Sequence, residues 1–427
     1  MIKNCYGLYN LFEVVTYTKN LKTITNDPQL MEEWELYVAR GIVGKDEGFS
    51  SEQIEEGLAL GLMPQIVLPG RFSKEELKAI LDEFYDWMHG KDLDNLTLKV
   101  TAHGRGEIAE LDTSDVERTL DTICYLNDKS DRAIIGEVVF HLGAVHTHEE
   151  EHKIRAKNHY SRLDCTFDIS KYREVFKRAL SRLSELRERY NGIALVIENV
   201  GQINFDVAPS RAEIPEFTKS DSRWGGTRWL PRELQLGDVG CGWDLVALAK
   251  QGFDVCIDVE HLQQTVEYSN VFNVQRQLGS LVWFGQGNYF EEGRIYIAEG
   301  KPILYKEELD LSEFIAELQG NIRICHLGGQ TSMIFYDEYN GRRVPRIGSH
   351  MPIYFPGDEN PYVRDKVLAE RMARECKEWF YEVLPALHAA GCRKGVFEIE
   401  VGSQTGPEWR QAIETSKRNV LSVLRDL

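Results

Sequence analysis

Short runs rich in β-branched and apolar residues alternate along the chain with stretches whose apolar residues return at helical spacing. That alternation predicts βα units feeding a parallel sheet. Eight runs read as strands: CYGLYNL (5–11), LMPQIVL (62–68), LTLKVTAH (96–103), AIIGEVVFH (133–141), IALVIEN (193–199), FDVCID (253–258), IRICHL (322–327) and GVFEIEV (395–401). Eight strands, each followed by a helix, close a (β/α)8 (TIM) barrel, so residues 1–427 read as one α/β barrel domain.

The helices carry their own signals. SKEELKAILDEFYDWMHG opens with Ser73 at the N-cap and Glu76 at the capping-box position. KYREVFKRALSRLSELRERY and RDKVLAERMARECKEWFYEVLPALHAAG repeat the helical spacing, and the second stops at Gly391. Three connections are longer than a helix needs, at about 201–250, 265–320 and 330–362, after the fifth, sixth and seventh strands. The middle one contains a predicted hairpin, RIYIA and KPILYK, around Glu299 and Gly300.

Composition narrows the class. With 42% hydrophobic and 28% charged residues the chain has the apolar mass for a large core. A formal charge of −18 argues against a broad phosphate-binding surface, which needs clustered Lys and Arg. The 8 cysteines are scattered without a C-x-x-C pair, which points away from a disulfide framework. No secretory signal or membrane-length apolar window is read, so the expectation is a cytoplasmic protein with no membrane partner.

A βα barrel carries its chemistry at the carboxyl ends of its strands. Six of the predicted strands end in a side chain that can bind a metal: His103, His141, Glu198, Asp258 with His261 just beyond, His326, and Glu398 with Glu400. Singly, a histidine after an apolar run is commonly a core residue, and Asp258 can equally cap the next helix. Six such endings at equivalent positions point instead to a metal site. Imidazole with carboxylate suits Zn²⁺, Mn²⁺ or Fe²⁺, and so many donors exceed what one ion needs.

At these residues the pattern resembles the xylose isomerase-like barrel superfamily, and within it the endonuclease IV family (AP endonuclease family 2), metal-dependent enzymes that cut DNA at abasic sites. VVFHLG is similar to that family's F-H-P-G strand ending, VCIDVEH to its C-I-D-T-C-H segment, ICHLGG to its H-L-N-D segment, and VIEN to its bridging-glutamate strand. The resemblance implies His103 and His141 on one ion, Glu198 bridging, Asp258, His326 and Glu400 around a second, and His261 on a third. Glu398 is the alternative to Glu400, since both share a strand face. Two segments depart from the family. Its Asp-x-His pair after the seventh strand is replaced by NGRRVPRIGSHMPI, where His350 is either a shifted ligand or a loop histidine. Where the family places an aromatic after the third-strand histidine, HGRGE supplies Gly104, Arg105 and Gly106.

Three function classes follow. A hydrolase would hold a phosphodiester, DNA under this resemblance, between two or more ions. Arg105, Arg223, Arg228 and Lys301 are then candidate phosphate clamps, and Trp224 and Trp229 candidate stacking platforms, although exposed loop residues of these types commonly serve only as surface. A sugar isomerase or epimerase would hold one ion on Glu198, Glu400, Asp258 and His326, with Glu198 and Glu400 as the acid/base pair, leaving His103 and His141 surplus. A barrel acting only as a binding module is the third. HTHEEEH (146–152) reads as a solvated segment.

Overall fold

The computed structural model describes residues 34–44, 47–69, 72–91, 100–110, 114–130, 133–144, 169–199, 238–239, 243–263, 311–329, 334–339, 342–347, 350–361, 366–399 and 406–427. Eight parallel strands close into a barrel, each paired with its neighbours in chain order and the last with the first. They are β1 (Glu35–Gly41), β2 (Met63–Val67), β3 (Val100–Glu107), β4 (Ile135–His141), β5 (Ala194–Glu198), β6 (Asp254–Asp258), β7 (Ile322–Leu327) and β8 (Lys394–Phe397). Among the described residues the main helices after the strands are α1 (Glu52–Ala59), α2 (Lys74–Gly90), α3 (Ser114–Asp128), α4 (Ile169–Arg189), α5 (Trp243–Ala249), α6 (Leu311–Glu317), α7 (Lys366–Ala389) and α8 (Pro407–Arg425). This is the expected (β/α)8 barrel.

The first strand is not where the hydrophobic pattern put it. Residues 5–11 lie outside the described residues, and the barrel is already closed with Glu35–Gly41 in first place. That segment, ELYVARG, hides its strand character because Arg40 occupies a core position. Arg40 is 2% exposed, and its guanidinium lies 3.2 Å from the ring centroid of Trp409 on α8. Burial lowers its pKa to about 9, against the opposing pull of Glu56. Glu56 in turn accepts from the backbone N–H of Gly406 and from Arg410, joining α1 to the start of α8.

Other local signals hold at the atomic level. Ser73 and Glu76 form the expected reciprocal capping box on α2. After β7 the chain forms an antiparallel ribbon, Ile334–Tyr339 with Arg342–Ile347, closed at its base by the Gly329–Met351 bridge. Most of the long connections after β5 and β6 lie outside the described residues, as does the predicted hairpin around Glu299 and Gly300.

Among the described residues two apolar clusters hold the barrel. The larger fills the space between strands and helices, with Phe84, Phe140, Phe176, Phe314, Phe380 and Trp409 among its fully buried members. The smaller lies inside the barrel and joins Tyr37, Val139, Val196, Cys256, Ile324 and Val396. Because a strand returns to the same face every second residue, one step toward the carboxyl end from this layer reaches Ala39, His141, Glu198, Asp258, His326 and Glu398. The barrel interior thus changes from apolar to metal-capable within a single rung.

Candidate metal centre

Glu198 sits at the middle of that rung and is 1% exposed. Its two oxygens face different partners. Oε2 lies 3.1 Å from His103 Nε2 and 3.3 Å from His141 Nε2, whereas Oε1 lies 2.8 Å from His326 Nδ1. Two groups of donors meet there, His103, His141 and Glu198 on one side and Glu198, Asp258, His326 and Glu398 on the other, each with its ligand atoms within 4.8 Å of one another. Ligands about 2 Å from one tetrahedral ion stand roughly 3.3 Å apart, so these separations suit a transition-metal site.

Asp258 shows the fit most directly. The residue is fully buried, and its Oδ2 has no hydrogen-bond partner. A buried carboxylate oxygen without a partner is costly unless a cation satisfies it. Its Oδ1 accepts from the backbone N–H of His261 at 2.8 Å, capping the helical turn that begins at Val259. The cap uses one oxygen and leaves the other available to a cation, so the two roles that the sequence leaves as alternatives are compatible.

Asn199 is a residue the strand-end reading passes over, although it directly follows Glu198. Its side chain donates to the Asp258 carbonyl at 3.0 Å and accepts from the Asp258 N–H at 2.6 Å. Its own carbonyl accepts from His261 Nδ1 at 3.0 Å. Asn199 therefore clamps the backbone on which Asp258 is carried. Replacing it with Ala is expected to weaken Zn²⁺ binding about 10–100-fold, measured by chelator competition, while the far-ultraviolet spectrum is kept.

The electrostatics are those of a site built for cations. Burial pushes the Glu198 carboxyl up, but His326, His103 and His141 outweigh it and hold the group well below the usual carboxylate range. Burial disfavours protonated His326, yet Cys256, Glu198 and Glu398 raise its pKa well above the usual imidazole value. His103 is raised in the same sense, its burial overcome by Glu198. Protons on these rings balance the buried carboxylates, so a metal ion and protons compete for one set of nitrogens.

The other predicted positions divide. Glu398 is the β8 glutamate in the cluster, its Oε1 3.4 Å from His326 Nδ1. Glu400 lies outside the described residues, as do Trp224, Arg228, Trp229, Arg223 and Lys301, and the Arg105 side chain is likewise not described. His261 and His350 stand together with ring centroids 5.9 Å apart. His350 has a left-handed backbone, φ 51°, and its N–H donates to buried Glu260. Its Nδ1 lies 3.5 Å from Glu260 Oε2 and 3.7 Å from Glu398 Oε2. Among the described residues these two histidines do not complete a third group of converging donors.

Fold and site together define a (β/α)8 barrel with a His/carboxylate cluster suited to divalent metal at the carboxyl ends of its strands. No protein-family model matches the sequence, and no curated protein matches it. Solved structures similar to this chain include endonuclease IV from Thermus thermophilus, at 16% identity, 92% of this chain and 100% of that one, with a TM-score of 0.38. A 3-keto-D-glucoside 4-epimerase from E. coli shares 10% identity over 92% and 100%, with a TM-score of 0.40. A xylose isomerase-like TIM barrel protein from Mycobacterium smegmatis, in complex with magnesium, shares 13% identity over 92% and 97%, with a TM-score of 0.36. Likeness at this level assigns no activity. Among the described residues no helix is long and apolar enough to cross a membrane.

Proposed function

We propose that this protein is a divalent-metal-dependent phosphodiester hydrolase of the endonuclease IV type, acting on DNA at abasic sites through a two-ion centre bridged by Glu198. The observation that carries this reading is the division of the Glu198 carboxylate, one oxygen toward His103 and His141 and the other toward His326. A single ion held on Glu198, Asp258, His326 and Glu398 does not need the first pair as ligands. Held by these residues, Zn²⁺ or Mn²⁺ supplies Lewis-acid stabilisation of charge on a phosphodiester and acidifies water.

The protein's own groups do the rest. Glu198 sets the spacing of the two halves of the site, and the histidines fix its orientation. The Nδ1–H of His103 is within reach of the Gly104 carbonyl at 2.9 Å, which leaves Nε2 as the nitrogen presented to the site. Asp258, clamped by Asn199, and Glu398 complete the inner half. The layer directly beneath them is buried and, Cys256 apart, hydrophobic, which strengthens charge interactions at the inner half.

One observation favours a second reading. Glu198, Asp258, His326 and Glu398 form a four-donor set without the outer histidines, the number and type that a one-ion sugar isomerase or epimerase requires. Glu198 and Glu398 would then exchange a proton on the substrate carbon. An abasic duplex and a panel of ketoses in deuterated water separate the two. Cleavage of the duplex supports hydrolysis; deuterium entering a ketose without cleavage supports the epimerase.

A further inference from the structure

The histidines at the barrel mouth do not all turn the same nitrogen to a backbone carbonyl. His103 and His261 each turn Nδ1 to a backbone carbonyl, that of Gly104 and that of Asn199. His326 is reversed. Its Nδ1 faces Glu198 and Glu398, and its Nε2 lies 3.3 Å from Nε2 of the Gln65 side chain on β2.

A nitrogen that binds a metal must offer a lone pair, so the proton of a neutral imidazole is forced onto the other nitrogen. With metal on Nδ1, the Nε2–H of His326 has to donate. The partner it meets is an amide nitrogen, which is also a donor. Meanwhile Gln65 is fully buried, and its Oε1 has no hydrogen-bond partner. Turning the amide by half a rotation exchanges its O and N with almost no change of shape. It converts a donor facing a donor into Nε2–H donating to Oε1. The turned NH2 then needs an acceptor, and the Thr101 hydroxyl, also buried and without a partner, stands at the register-paired position on β3.

Resting on the metal centre proposed above, we infer that Gln65 is a positioning residue of that centre, its side-chain oxygen accepting from His326 Nε2–H so that Nδ1 is held as the metal-binding nitrogen. This also accounts for an amide in the barrel interior, where an unsatisfied polar side chain is otherwise a net cost. The interior positions one rung below Glu198, Asp258, His326 and Glu398 are Val196, Cys256, Ile324 and Val396.

Two substitutions separate this role from packing. Gln65→Met keeps the length of the side chain and removes the acceptor; Gln65→Glu keeps an acceptor. Zn²⁺ affinity, read by chelator competition, is expected to fall about 10–100-fold in Gln65→Met and to stay within about threefold of the parent in Gln65→Glu. A loss in Gln65→Met smaller than about tenfold, or an equal loss in both variants, overturns the inference. The parent protein supplies a test that no folding defect can obscure. In ¹⁵N spectra of the Zn²⁺-loaded protein labelled at histidine, His326 is expected to carry its proton on Nε2 and metal on Nδ1. Metal on Nε2 overturns the inference while leaving the metal centre intact. Failure of the parent to take up Zn²⁺ overturns the metal centre itself.

Discussion

Exchanging Glu198 for Gln is expected to cut catalytic turnover by about 10³-fold or more and to reduce bound metal in both halves of the site together. The substitution preserves shape and one acceptor oxygen but removes the charge that His103, His141 and His326 share. Because each half depends on a different oxygen of this side chain, neither is spared. Glu398→Gln provides the contrast, since Glu398 belongs to the Asp258–His326 half alone. Metal analysis of the two variants side by side is the check. Equal losses, or selective loss from one half in Glu198→Gln, would contradict the bridging role.

Gly104→Ala is expected to be the most damaging small substitution near the site. A methyl group at Gly104 would come within 2.1 Å of Phe140 Cε1 and 2.5 Å of its Cζ. Phe140 is fully buried and cannot swing aside. Overpacking of this kind costs about 1–3 kcal/mol, and the strain falls on the residue whose carbonyl holds His103. The variant should therefore unfold several degrees below the parent and bind metal more weakly at the His103–His141 half. Shrinking the ring with Phe140→Leu in the same chain should restore part of both losses, a coupling that a thermal melt and a metal titration read directly. Additive losses would show that the clash is not the cause.

Gly104 also illustrates what the sequence could and could not show. The glycines after His103 were visible in the sequence, but that Gly104 has no room for a side chain shows only in the structure, where the Phe140 ring of the next strand stands against it. The strand-end reading named residues that the structure brings together, and His141, Glu198, Asp258 and His326 each follow an interior residue of the layer below by one step on the same strand face. It was not enough to place β1, where Arg40 stacks on Trp409 from a remote helix and disguises the strand. Nor could it choose between Glu398 and Glu400, which share a face; the structure places Glu398 beside His326. Looking only at strand ends hid the supporting residues. Gln65 lies within β2 and Asn199 just past β5, and each matters through a contact to a distant strand.

Whether Glu198 joins two metal positions is read from the number of ions per chain. The protein, stripped with chelator, reloaded with Zn²⁺ and freed of excess, is analysed by elemental mass spectrometry against its concentration. Two ions per chain are expected in the parent, with clear loss of both in Glu198→Gln. A single ion in the parent, unchanged when His103 and His141 are both replaced by Ala, would contradict it and leave the one-ion chemistry of Asp258, His326 and Glu398 in its place.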